Sequence, residues 1–244
     1  MTLSPPITPP QQTDTALRGQ GFAVLDAAGL AQLAGVERAA FDTLAPYWNH
    51  LPPDQHLRDG GRYRRRRHSC FVVDGTRLTQ VPHRAHWQPV EYNALHGGIE
   101  RWFEPIPAAM TEQPAWSRLL LGLSERASAL RGPQAWYVEA HPFRIDTSDG
   151  IGRPTPEGAH RDGVDLVAVL LVGRHAVKGG ETRVFAADGP QGMRFTLSEP
   201  WSVLLLDDAR VIHESTPIQP LQPDAPGWRD TLVLTYRAGG FQGP

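Results

Sequence analysis

From residue 134 onward the sequence is cut into short apolar blocks, at 135–145, 164–172, 181–187, 193–197, 203–206, 211–218 and 231–236, each bounded by Gly, Pro or Asp. Nothing between them has the periodicity of a helix. Parallel strands need crossovers on the order of a dozen residues, usually helical, whereas antiparallel strands can follow one another through short turns. The spacing therefore predicts a mainly β, antiparallel, two-layered structure, a sandwich or jelly roll, and disfavours a parallel βαβ sheet.

The preceding half has a different texture. Over 30–44 the residues Leu30, Leu33, Ala34, Val36, Phe41 and Leu44 recur at helical spacing, with Glu37, Arg38 and Asp42 between them. Similar patterns cover 99–110 and 116–130, the latter opened by Gln113-Pro114 and closed by Gly132-Pro133. The expectation is a helical N-terminal part, to about residue 133, packed outside a jelly-roll core at 134–238. Residues 1–14, rich in Pro, Thr and Gln, bury too little apolar surface to offset the entropy of ordering and read as a flexible tail. With no internal repeat and no linker, 15–244 reads as one domain.

Composition narrows the function classes. Lys plus Arg number 24 against 26 Asp plus Glu, a net charge of -2 that offers a polyanion no broad basic face, so nucleic acid is not an expected partner. The lone Cys70 can make neither an internal disulfide nor a thiolate metal site, which suits a reducing cytoplasm and leaves any metal to histidines and carboxylates. No apolar run approaches the ~18 residues of a membrane span, and no basic-then-apolar leader opens the chain. The protein reads as cytoplasmic, with no membrane partner.

Those histidines and carboxylates are found where a Gly- and Pro-rich loop, Asp149-Gly-Ile-Gly-Arg-Pro-Thr-Pro-Glu-Gly158, runs into Ala159-His160-Arg161-Asp162-Gly163-Val164-Asp165. In extended chain residues i and i+2 share a face, so His160 and Asp162 present an imidazole and a carboxylate together, and the same parity continues through Val164, Leu166, Ala168 and Leu170. His213, just after the apolar Val203 to Leu206 and Val211-Ile212, is the candidate third ligand. Two histidines and one carboxylate on one face of iron(II) leave positions open for a bidentate co-substrate and dioxygen, whereas structural zinc sites are closed. Arg229, at the head of the strand ending in Tyr236, can grip a distal carboxylate in a two-pronged hydrogen bond that Lys could not reproduce. Thr231 shares its face. The pair suits 2-oxoglutarate.

Other residues carry two readings. Tyr63-Arg-Arg-Arg-Arg-His68 could be a phosphate-binding patch or, the favoured reading, a solvated edge strand whose charges discourage sheet-to-sheet pairing. A third reading turns Arg64 or Arg66 inward to bind the carboxylate of an amino acid substrate. His83, His86 and His96 are expected to hydrogen-bond in loops or core, a substrate-pocket role for one of them being the lesser reading. His141 and Arg144 lie on opposite faces of the 135–145 strand, so at most one of these two substrate-contact candidates faces the barrel interior. Trp201 and Leu204 to Leu206 read as packing.

In His160-Arg-Asp-Gly-Val-Asp-Leu166, Gly179-Gly-Glu-Thr182, His213-Glu-Ser-Thr-Pro217 and Arg229-Asp230 the sequence resembles the iron(II) and 2-oxoglutarate dioxygenases of the double-stranded β-helix superfamily, in particular the bacterial L-isoleucine 4-hydroxylase type of free amino acid hydroxylase. Pro82-His-Arg, Tyr92-Asn-Ala-Leu-His-Gly-Gly-Ile-Glu-Arg101 and Glu139-Ala-His-Pro-Phe-Arg-Ile145 extend the similarity upstream. The resemblance implies a cupin-like jelly roll with iron(II) at its mouth, 2-oxoglutarate inside, and dioxygen as oxidant. A small substrate, an aliphatic L-amino acid, would lie under N-terminal elements. Related halogenases have a small residue where this sequence has Asp162, which implies hydroxylation instead. The alternatives are the same chemistry on a peptide or secondary metabolite, and a non-oxidative cupin-like metal-binding protein, which has no need of a dicarboxylate anchor.

Overall fold

The computed structural model describes residues 3–93, 95 and 97–244. In chain order the elements are α1 (Thr13–Gln20), β1 (Phe22–Leu25), α2 (Ala27–Ala34), β2 (Arg64–Arg66), β3 (Ser69–Asp74), β4 (Arg77–Gln80), α3 (Ala108–Thr111) and α4 (Pro114–Arg131). They are followed by β5 (Trp136–Asp146), β6 (Leu166–His175), β7 (Val177–Gly179), β8 (Thr182–Ala186), β9 (Gly192–Phe195), β10 (Val203–Asp207), β11 (Val211–Ser215), β12 (Ile218–Pro220) and β13 (Trp228–Ala238).

The strands form two antiparallel layers. One large sheet runs β1, β10, β6, β13, β5, β3, β4, with β2 and β3 end to end along β5. The opposing layer is made of β11, β8 and β9 together with the β12–β7 pair. This is the expected jelly roll, a mainly β core with flanking helices.

Burial follows strand parity. Leu166, Ala168 and Leu170 of β6 join Val203 and Leu205 of β10 in packing against Leu119, Leu120 and Leu123 of α4. Val167 and Leu171 face the other way, onto Val184, Phe195, Leu204 and Leu206 between the layers. Each such Leu or Val contributes roughly 1.5–3 kcal/mol on full burial, so these two interfaces fix which face of the sheet looks inward.

Several expectations are corrected. The N-terminal part is not purely helical: β1 to β4 extend the large sheet at both ends, because short apolar pieces such as Phe22–Leu25 need only an existing edge to pair with. The helix expected over 30–44 stops at Ala34, and Arg38–Thr43 and Ala45–His50 are short 3-10 turns. Only Ala108–Thr111 of the 99–110 stretch is α-helical. Residues 3–12, tail-like in composition, are held by backbone bonds: the Thr8 N–H donates to the Val24 carbonyl at 2.7 Å and the Thr196 N–H to that of Leu3 at 2.9 Å.

Candidate active site

His160 and His213 exchange reciprocal backbone hydrogen bonds of 3.0 Å, which place their rings side by side with centroids 4.6 Å apart. Asp162 completes the group, its Oδ1 3.9 Å from His160 Nε2 and its Oδ2 3.9 Å from His213 Nε2. His160 Nδ1 bonds to the Gly158 carbonyl at 3.0 Å, which turns Nε2 toward the carboxylate. Each residue thus offers one ligand atom to a common point, all within 4.8 Å of one another.

The parity expected from the sequence breaks just beyond this group. Leu166, Ala168 and Leu170 face the helices while Asp162 faces the cavity, because 161–165 is a turn and β6 begins only at Leu166. Gly163 makes the turn with φ 74°, and a Cβ there would come within 2.4 Å of the Tyr92 ring. The Asp208 carboxylate accepts from the N–H groups of Asp162, Gly163 and Val164 at 2.7–3.1 Å, so three orphaned donors of the turn meet one acceptor. From the other side Gln88 Nε2 donates to Asp162 Oδ1 at 3.2 Å, and Gln88 Oε1 accepts from Arg101 Nη2 at 2.9 Å.

The electrostatics suit a cation. Burial pushes the Asp162 carboxyl up to about 7, against the pull of His160. Burial and the neighbouring His160 hold His213 well below the ordinary imidazole range, leaving a lone pair free at neutral pH. A dication would return Asp162 to its ionised form.

Arg229 and Thr231 project from β13 into the same cavity. Arg229 is 2% exposed, and its Nε and Nη2 have no hydrogen-bond partner among the described residues. Burial lowers its pKa to about 10, still charged at neutral pH. A buried guanidinium with two free N–H groups fits a ligand carboxylate. The donor set and this orphaned cation together fit iron(II) and 2-oxoglutarate.

The remaining predicted residues divide. Arg64 and Arg66 correct the reading of a solvated edge strand: they are 5% and 3% exposed and line the cavity, while Arg65 faces out. Pairing β2 with β5 buries one face of the strand, and β5 supplies that face with its own inward residues, Phe143 and Ile145. Arg64 Nε donates to Asp54 at 2.7 Å. The Arg66 guanidinium lies between the rings of Phe103 and Phe143, 3.9 and 4.4 Å from their centroids. His141 is also inside, its Nδ1 2.7 Å from Arg66 Nη2. Arg144 is not. Being of opposite parity on β5 it points away and forms a two-pronged pair with Asp230 at 2.7 Å; it is withdrawn as a substrate contact.

A second ligand-like group, His68, His86, Glu139 and His141, lies beside these arginines. Here the donors already serve one another: Glu139 Oε2 bonds to His68 Nε2 at 2.9 Å and to His86 Nδ1 at 2.6 Å. Burial lowers His86 to about 3, and Glu139, though burial opposes it, is held below the carboxylate range by His86 and His68. His83 bonds to the Phe103 carbonyl as a loop contact, Trp201 stacks on Phe41 in the core, and His96 lies outside the described residues. Sequence reasoning missed Glu139, although its parity with His141 on β5 points to it. It also gave no role to Gln88, Arg101, Glu157 and Asp208.

Comparison with known proteins agrees with this geometry. A sequence model of the 2OG-Fe dioxygenase family matches residues 45–235. The crystal structure of a bsmA homolog from Methylobium petroleophilum PM1 shares 60% identity, with 99% of this chain and 98% of that chain covered and a TM-score of 0.93. Two more distant structures share the fold. IDO from Bacillus thuringiensis has 16% identity, coverage of 98% and 99%, and a TM-score of 0.76. The Fe(II)/(alpha)ketoglutarate-dependent dioxygenase TqaL has 19%, 96% and 89%, and 0.72. No curated protein matches the chain. The non-oxidative cupin alternative falls with the family match. The chain belongs to the 2OG-Fe dioxygenase family and is a non-haem iron enzyme that works with iron(II), 2-oxoglutarate and dioxygen.

Proposed function

We propose that this dioxygenase hydroxylates a small free molecule, an aliphatic L-amino acid of the kind taken by the L-isoleucine 4-hydroxylase type. In this reading His160, Asp162 and His213 hold the iron, and Arg229 with Thr231 holds the far carboxylate of 2-oxoglutarate. The observation that carries it is one cavity containing, at separate places, a two-histidine, one-carboxylate group and a buried guanidinium with free N–H donors. When bound, iron(II) and 2-oxoglutarate supply oxidative decarboxylation to succinate and carbon dioxide, with transfer of one oxygen atom to a substrate C–H bond.

The protein's own residues position and exclude. Asp208 and Gln88 hold the Asp162 backbone and carboxylate from two sides, and the Gly158 carbonyl fixes the His160 ring. His86, Gln88 and Arg101 line the cavity together with Gln242, whose Nε2 donates to the carbonyls of Asp162 and Gly163 at 3.0 Å. The cavity volume of about 130 Å³ favours a small molecule over a peptide. Arg64 Nη2 and Arg66 Nε, buried and without partners, supply donors for a substrate carboxylate beside His141. The His68, His86, Glu139 and His141 group is taken as a hydrogen-bonded support for Arg66, because a guanidinium donating to His141 Nδ1 leaves the ring's other nitrogen protonated. A cytoplasmic setting and a single domain over 15–244 complete the reading; the free Cys70 is buried, and no described helix is long and apolar enough to cross a membrane.

Adding 2-oxoglutarate to the iron(II)-loaded protein under anaerobic conditions should produce the visible charge-transfer band of bidentate binding. Succinate release should then depend on an aliphatic L-amino acid. A protein that shows the band but responds only to peptides or to secondary metabolites would remove the amino acid assignment, and absence of the band would remove the metal and co-substrate assignments.

A further inference from the structure

The cavity is lined by buried arginines and a carboxylate that form no ion pair with one another. Arg66 and Arg101, 3% and 2% exposed, make no ion pair among the described residues: Arg66 bonds to His141 and Arg101 to the Gln88 amide, and Nε of each has no partner. Glu157 lines the same cavity. Its Oε2 is buried and accepts no hydrogen bond, and its Oε1 lies 3.6 Å from His160 Nε2, beyond hydrogen-bond reach. No Arg or Lys lies within ion-pair distance of it among the described residues.

Both sides are tied into their surroundings. Gln88 ties Arg101 to Asp162. Glu157 is set by a turn in which the Gly158 N–H donates to the Thr155 carbonyl at 3.0 Å, and the Thr155 hydroxyl exchanges hydrogen bonds of 3.0 and 3.1 Å with the backbone of Ser215 on β11. A buried carboxylate oxygen without a donor is costly, more so than the same oxygen in water. A pocket with buried guanidinium donors and a buried carboxylate oxygen that do not pair with one another is complementary to a ligand that carries both charges.

We propose that Glu157 is the receptor for an ammonium group of the substrate, so that the substrate is held as a zwitterion with its carboxylate on the arginines and its ammonium beside His160. This rests on the amino acid reading above. It adds a specificity-determining residue that discriminates the amino acid from the carboxylic acid of the same carbon chain.

The test uses wild-type protein and Glu157→Gln, both loaded with iron(II) and 2-oxoglutarate under anaerobic conditions. Binding is followed through perturbation of the charge-transfer band by three compounds: an aliphatic L-amino acid, the same chain without the amino group, and the N-acetyl derivative. Iron content is measured for both proteins. Wild type should prefer the amino acid by about 30-fold, as expected for a charge-assisted hydrogen bond out of water, and Glu157→Gln should lose that preference while retaining iron and the band. A variant that keeps the preference, weakens all three compounds equally, or loses its iron overturns the proposal. Wild type that turns over amino acids without preferring them overturns it alone. Wild type that accepts no amino acid overturns the amino acid reading and this proposal with it.

Discussion

At the scale of single residues the two ligand-like groups make opposite predictions. Asp162→Ala and His213→Ala should each purify with little iron and give no charge-transfer band, whereas His86→Ala should retain about one equivalent of iron, as measured by elemental analysis. Equal iron loss from His86→Ala would make the second group a metal centre. Arg229→Lys keeps the charge but not the fork, so the KM for 2-oxoglutarate should rise roughly 10- to 100-fold with a smaller change in kcat. These residues were legible because their chemistry needs particular side chains at particular spacings: an imidazole and a carboxylate two apart, and an Arg and a Thr two apart on a strand. Glu157 and Glu139 were not, because a lone carboxylate acquires meaning only from what surrounds it. Arg66 changed meaning altogether, since a charged residue on a strand is ordinarily solvated and becomes a buried donor only when a distant segment, here the one bearing Phe103, packs over it.

Among the elements, the turn at 161–165 decides where the candidate ligand Asp162 points. Asp208→Ala would leave the N–H groups of Asp162, Gly163 and Val164 without their acceptor, at a cost of roughly 2–4 kcal/mol, to be read as a lower urea midpoint with unchanged slope and as weaker iron binding. Gly163→Ala should be destabilising by about 1–3 kcal/mol, from a positive φ and from contact with Tyr92, and a thermal melt would show it; an unchanged melting temperature would mean that the turn has an alternative conformation. Strand existence in the C-terminal half was readable from alternating apolar blocks. Of the N-terminal strands, β2 lies within the edge strand read at 63–68, though that reading had it solvated, whereas β1 was not legible, being four residues long and too short for a period to show. They form because β10 and β5 offer edges to complete.

Over the whole molecule, pH reports on the buried polar cluster. His68, His86 and His141 are held below the ordinary imidazole value of 6.5, first by burial. For His86 the native value is about 3, so between about 3 and 6.5 the unfolded chain binds a proton that the native one refuses. Its contribution is therefore intact above 6.5 and declines as pH falls through that window, by up to about 1.4 kcal/mol per pH unit. Metal-free protein should melt at lower temperature at pH 5 than at pH 7, and His86→Gln should show a shallower dependence; equal slopes would mean that His86 is accessible to protons in the native state. The sequence by itself determined the antiparallel two-layered core, the candidate ligands and the candidate anchor Arg229, because strand spacing and donor chemistry are local properties. Only the tertiary structure decided that Arg144 points out while Arg64 and Arg66 point in, and that the parity of His160 and Asp162 does not continue into β6. It also brought Glu157 and Glu139 into the lining of one cavity. Those outcomes depend on which layer covers which face, and burial of that kind is a property of distant segments meeting, which no local pattern encodes.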